Sequence, residues 1–306
     1  MARKKIYHIK SISQYHELMG LPRPRHPLIS VIDLSQIRHP GHDGSLQMMF
    51  DFYSISLKRI ENVTMRYGQQ EYGFSDGLMY FMAPGQVFGI GSSTDAPVRR
   101  SGMLLLVHPD FLWHTPLATG IRRYDFFDYS VHEALYLSDT EEAIIQGVIQ
   151  NISQEYNSNI DKFTQDIIIA QLEVLLNYSE RFYQRQFLTR KKASHQLLEQ
   201  LEEILTRYFD QEDIATRGLP TVQHIAATLH VSPNYLSSTL KTLTGQTTQQ
   251  HIHEKLIAKA KQQLSTTDLT VSQIAYALGF EHSQSFSKLF KSKTNLSPLE
   301  FRSSFN

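Results

Sequence analysis

Apolar and polar positions follow two different rhythms along this chain of 306 residues. Up to about residue 110, short apolar runs at 28–34, 49–57, 78–82 and 103–107 are separated by turn residues such as Gly41, Gly44, Gly77, Pro84 and Gly85. Within 49–57, Met49, Tyr53, Ile55 and Leu57 fall on one parity and Phe50 and Phe52 on the other, which is the period of a single strand. Many short strands joined by such turns predict a small barrel or jelly roll over 1–135.

From about 138 the period lengthens to that of a helix. Ser138 followed by Glu141 is a capping box, and it should open a helix that ends near 156. A second stripe follows: Ile160, Phe163, Ile167, Ile168, Leu172, Leu175, Leu176, Ser179 and Phe182. It can pack on the β-rich domain or against a second copy of the chain, and the spacing serves both. These two helices make a dimerisation segment at 136–187. A polar, basic stretch at 188–194, with Arg190, Lys191 and Lys192, reads as a linker. Residues 195–306 carry only helical patterns. The predicted fold class is therefore α+β multidomain, with a β-rich N-terminal part, trailing helices and an all-α C-terminal domain.

That last domain contains an approximate internal repeat. Val222, Ile225, Ala226, Leu229 and Val231 match Val271, Ile274, Ala275, Leu278 and Phe280; Leu236, Leu240 and Lys241 match Phe286, Phe290 and Lys291, with one extra residue in the second copy. Two short helices that cross steeply need a small residue where they touch, and Ala226 and Ala275 supply it. The sharp turn that follows favours a left-handed residue: Gly279 suits it, and His230 tolerates it. Val231 and Phe280 then plug the turn. Thr270 with Gln273 forms a capping box, Ser232-Pro233 an N-cap with proline at the first helical position, and Ser297-Pro298 with Glu300 repeats that device. Two helix-turn-helix units are thus expected at 221–245 and 270–294. Ile252, Leu256, Ala260 and Leu264 recur every four residues between them and predict one amphipathic joining helix. If it holds the units about 34 Å apart, both reading helices can enter successive major grooves.

Charge sharpens this picture. The whole-chain net charge is +0, but 219–306 carries eight cations against four anions, a local +4 that leaves −4 to the rest. A phosphate backbone responds to the local excess. No apolar run approaches the roughly 18 residues of a membrane span, and the basic start has no apolar stretch behind it. With no cysteine, disulfides and thiolate chemistry are excluded, and a cytoplasmic home is compatible.

The ordered set Ile274-Ala275, Gly279-Phe280, Ser285-Phe286, Phe290-Lys291, Ser297-Pro298 and Phe301-Arg302 resembles the DNA-binding domain of the AraC/XylS family of bacterial regulators. The resemblance covers 219–305, and a preceding helix at 196–209 belongs with it. Two positions depart from the pattern: Asn295 stands where the family usually has glycine, and Lys288 where it often has arginine. It implies a sequence-specific transcription regulator, not an enzyme, that binds double-stranded DNA at a promoter or operator. A homodimer, a small-molecule effector and RNA polymerase are the further partners it implies.

Helix geometry turns Tyr235, Leu236, Leu240, Phe286, Leu289 and Phe290 inward. That leaves Asn234, Ser237, Ser238 and Lys241 in the first unit, and His282, Ser283, Gln284, Ser285, Lys288 and Lys291 in the second, to face DNA. Asn234 and Gln284 can pair with adenine and Lys288 with guanine; the serines can bond phosphate or base; His282 either meets a base or caps its helix.

By the same resemblance the N-terminal part is a cupin-like sensor domain, supported by the segments 81–87 and 111–114. Tyr53, Tyr67, Tyr72, Tyr80, Phe88 and Trp113 are available to line a ligand pocket, or are plain core. The competing readings are a cupin-type metalloenzyme, with His39, His42, His108 and His114 as its histidines, and a protein-binding helical module. The histidines lack metal-site spacing, and neither a phosphate loop nor a nucleophile elbow is present, so no metal, cofactor or catalytic residue is expected.

Overall fold

A computed structural model describes residues 6–37, 46–60, 64–67, 70–73, 77–90, 100–129, 133–189, 191–210 and 214–304. The chain divides into two compact units, 1–186 and 187–306.

Among the described residues the first unit has ten strands: β1 (Ile6–Ile9), β2 (Ile29–Asp33), β3 (Leu46–Phe50), β4 (Tyr53–Ile60), β5 (Thr64–Tyr67), β6 (Gln70–Gly73), β7 (Leu78–Met82), β8 (Val87–Ile90), β9 (Arg100–Val107) and β10 (Leu135–Tyr136). They form an open five-stranded sheet in the order β10-β7-β4-β9-β2, a three-stranded sheet β1-β3-β8 and the hairpin β5-β6. The expected cupin-like barrel is therefore not present: no sheet closes among the described residues. Closure requires the two edge strands to meet. Here one edge, β10, offers only two residues, and the other, β2, lies against the helix α3 (Asp139–Asn157). The run at 49–57 is likewise not one strand. β3 ends at Phe50 and β4 starts at Tyr53, in a different sheet. Between them Asp51 N–H bonds the Ile9 carbonyl, and Phe50 and Phe52 stack at 4.7 Å in one core.

In the middle of the sheet Ser54, Ile55, Ser56 and Leu57 are all buried, so β4 is covered on both faces. On one side Ile9, Ile12, Tyr15, Met48, Phe50, Phe52 and Leu106 form a core that includes α1 (Ile12–Leu18). Elsewhere Phe81, Phe126, Phe127 and Tyr183 pack ring on ring, bringing in the 3-10 turn after α2 (Leu117–Gly120) and the long helix α4 (Thr164–Thr189). The capping box of α3 forms as read: Ser138 and Glu141 exchange both bonds, and Arg185 of α4 then pairs with Glu141 at 2.7 Å. The apolar stripe at 160–182 splits in two. Ile168, Leu172, Leu175, Leu176, Ser179 and Phe182 are buried, whereas Ile160, Phe163 and Ile167 are exposed.

The second unit is all helical: α5 (Lys191–Phe209), α6 (Ile214–Arg217), α7 (Val222–Thr228), α8 (Pro233–Thr244), α9 (Thr248–Thr266), α10 (Val271–Ala277), α11 (Ser283–Thr294) and α12 (Pro298–Ser303). The stretch 188–194 holds the end of α4 and the start of α5, on either side of residue 190. One core runs through this unit, from Leu201 and Leu205 of α5 through Ile225, Leu236, Leu240, Ile252, Leu256 and Ala260 to Ile274, Phe286 and Phe290.

Candidate nucleic-acid interface

Each half of the repeat folds into the same local geometry. In the first, Thr221 caps α7 by accepting from His224 N–H at 3.1 Å. The helix ends in a left-handed residue, His230, at φ 56°. His230 N–H bonds the Ala227 carbonyl and Val231 N–H bonds the Ala226 carbonyl, the paired bonds of a Schellman turn. Val231 then packs on the core, and Ser232 caps α8 with Pro233 in its first turn. In the second, Thr270 and Gln273 exchange both capping bonds, Gly279 is left-handed at φ 86°, and Gly279 and Phe280 N–H groups bond Tyr276 and Ala275 carbonyls at 3.0 Å each. Ala226 and Ala275 are completely buried, as a close helix crossing demands.

The likeness continues past the reading helices α8 and α11. Both run twelve residues and both end in a left-handed cap, Gly245 and Asn295, whose N–H bonds the carbonyl of Lys241 or Lys291 at 2.9 Å. Capping boxes then open the next helices, Thr247 with Gln250 for α9 and Ser297 with Glu300 for α12. Bonds donated by Ser297 hold the Glu300 carboxyl below the usual carboxylate range, with Lys291 adding to the effect. The Thr247 box repeats the spacing of the Ser297 box, so a search for that spacing would have found it.

Residues 225–304 match a family model described as a helix-turn-helix domain. The second unit therefore contains a helix-turn-helix domain. Over that region the chain is 33% identical, across 82 residues, to the HTH-type transcriptional regulator YisR of Bacillus subtilis, covering 27% of this chain and 29% of YisR. It is 31% identical across 100 residues to AdaA of the same organism, a bifunctional transcriptional activator and DNA repair enzyme, covering 33% of this chain and 46% of AdaA. The chain thus spans less than half the length of either relative. A solved regulator from Chromobacterium violaceum with an AraC-type DNA-binding domain aligns at 22% identity and a TM-score of 0.32, over 38% of this chain and 96% of its own.

On the helix-turn-helix domain, the inward side chains lie where helix geometry put them: Tyr235, Leu236, Leu240, Phe286 and Phe290 are buried, and Leu289 is half-buried. Of the outward set, Lys241, His282, Gln284, Ser285, Lys288 and Lys291 are exposed, and Asn234, Ser237, Ser238 and Ser283 are half-buried. Ser237 is partly committed, since its hydroxyl lies 3.0 Å from that of the buried Thr248. His282 occupies the N-cap of α11 without a side-chain capping bond, which leaves its ring outward. Other cations of this unit have structural work. Lys259 pairs with Asp210 at 2.8 Å and depresses that carboxyl, Lys261 sits over the Phe301 ring, and Arg302 donates to the Leu264 and Leu269 carbonyls.

Of the ligand candidates of the first unit, the side chains of Tyr53, Tyr80 and Trp113 are described, and these three do not converge. Tyr53 meets the Phe127 ring edge-on at 5.1 Å. Tyr80 lies opposite Ser56 in the β4–β7 register, on the other parity and therefore the other face of the sheet. Burial pushes the Tyr80 phenol up to about 12, and Lys58 Nζ lies 4.8 Å over its ring. Trp113 is 68% exposed and stacks on His114. The side chains of Tyr67, Tyr72 and Phe88 lie outside what the structure describes, as do His39 and His42 altogether. Among the described residues no group of three or more His, Asp or Glu is placed to hold a metal ion, and no helix is long and apolar enough to cross a membrane.

Proposed function

We propose that the whole chain is a cytoplasmic transcription regulator that lays α8 and α11 in two successive major-groove segments of a promoter. The observation that carries this is the duplicated turn, which presents the outward faces of two equivalent helices from one continuous core. In this reading Gln284 and Asn234 pair with adenine, Lys288 with guanine, and Lys241 and Lys291 with phosphate. Ser237, Ser238, Ser283, Ser285 and His282 complete the reading surface.

The chain acts as a homodimer through α4. Ile167, Ala170 and Val174 lie on its exposed side at spacings of three and four, and Ile160 and Phe163, just ahead of the helix, are exposed as well. An apolar seam with that spacing is what one helix presents to a second. The first unit then binds a small effector that biases how two DNA-binding domains are presented, and RNA polymerase is the downstream partner.

Selection of genomic fragments by the purified full chain, sequenced across a salt series, tests the central reading. Enrichment of one motif with two boxes about one helical turn apart is the expected result. Absence of binding even at low salt refutes it.

A further inference from the structure

Phe187, in the last turn of α4, lies upstream of the region that matches the helix-turn-helix family, yet it is one of the largest fully buried side chains of the protein. Its ring meets Tyr235 of α8 at 5.3 Å and 77°, edge to face. Ser194 of α5, itself buried, donates its hydroxyl to the Phe187 carbonyl at 3.1 Å.

The repeat shows what this contact does. With Leu236 equivalent to Phe286, Tyr235 is equivalent to Ser285. Ser285 is exposed, whereas Tyr235 is 8% exposed. The same position therefore faces outward on α11 and is covered on α8. The main core grips α8 through Leu236 and Leu240. Phe187 and Tyr235 are outside that cluster of side chains and hold the flank next to it. Tyr235 directly follows Asn234 and lies one turn before Ser238, two of the residues assigned to DNA. All three lie in the one hydrogen-bonded helix α8, so a tilt at Tyr235 is carried to both.

We propose that Phe187 is a positioning residue for the first reading helix alone, setting the angle at which α8 presents Asn234 and Ser238 to its box, so that the state of the last turn of α4 tunes one of the two boxes. This rests on the reading that α8 and α11 enter DNA.

The test uses the full chain and a pool of random-sequence duplexes. The wild type, F187A and F187L each select from the pool, and a K288A selection identifies which box belongs to α11. The expected result is a loss of about 10-fold in base discrimination at the α8 box for F187A, with the α11 box unchanged within about 2-fold and F187L intermediate. Circular dichroism checks folding, and if F187A does not fold, F187L decides by the same asymmetry. Equal losses at both boxes, or none at either, overturn the inference while the DNA reading stands. A wild type that selects no motif overturns both.

Discussion

Replacing Gly279 with alanine tests how the second turn is built, and Gly245 provides its control. Both residues are left-handed, at φ 86° and 77°. Alanine in that region costs about 1–2 kcal/mol of backbone strain, offset by about 0.4–1 kcal/mol because alanine restricts the unfolded chain. At Gly245 this is the whole effect, since an added methyl meets nothing within 4 Å. At Gly279 the methyl would fall 2.9 Å from the carbonyl carbon of Gly218 and 3.0 Å from Ile214 Cγ2. Gly218 cannot swing away freely, because its own carbonyl accepts from Tyr208 OH at 2.9 Å. Overpacking against a fixed backbone adds about 1–3 kcal/mol. G245A is therefore expected to destabilise the second unit by about 1 kcal/mol and G279A by about 2–4 kcal/mol. For a unit of this size that separates their melting temperatures by several degrees, on the order of 4 °C per kcal/mol. Thermal denaturation of both full-chain variants, followed by circular dichroism, measures the gap. Melting of G279A at or above G245A would refute the claim that the turn is packed against the α6 loop.

Other expectations follow from the same geometry. H230G removes a non-glycine residue from φ 56° and should raise the stability of the second unit by up to about 1 kcal/mol, measured by denaturant titration; a loss would show that the imidazole holds the turn. K288A should cost about 1–3 kcal/mol of specific binding, with relaxed selectivity at one base if the lysine reads guanine, whereas a uniform loss across sequences marks a phosphate contact. I167E and V174E, on the exposed side of α4, should shift sedimentation from dimer to monomer while leaving the melting temperature of the monomer nearly unchanged. His16 is buried, held between the Pro22 carbonyl and Ser30 Oγ; burial lowers its pKa, and the bond to Pro22 opposes that only in part. The folded state then binds fewer protons than the unfolded one, so stability contributed by neutral His16 is present above the ordinary histidine pKa of about 6.5 and is lost as pH falls below it. Melting of the first unit should drop between about pH 7 and pH 5, less steeply in H16Q, and identical slopes would remove His16 from that account.

Local chemistry was legible in the chain itself wherever a short segment decides its own conformation. Ser138 with Glu141, Thr270 with Gln273 and Ser297 with Glu300 each close a reciprocal pair within four residues, and Gly279, His230 and Asn295 take the left-handed geometry that their turns require. The spacing of Ala275, Phe286 and Phe290 likewise fixed which faces are buried, because helical period and burial are tied together at short range. What lay beyond reach was decided by partners distant in the chain. Alternation marks a strand but not which edge it joins, so 49–57 divided between two sheets and the expected barrel stayed open, with β2 against α3. Parity likewise set Tyr53 and Tyr80 on opposite faces only once the β4–β7 register was known. Tyr235 and Ser285 hold equivalent places in the repeat; helix period already turned the first inward and the second outward, and only the packed structure showed that the cover over Tyr235 is Phe187, because what lies against a helix flank depends on what another segment brings to it.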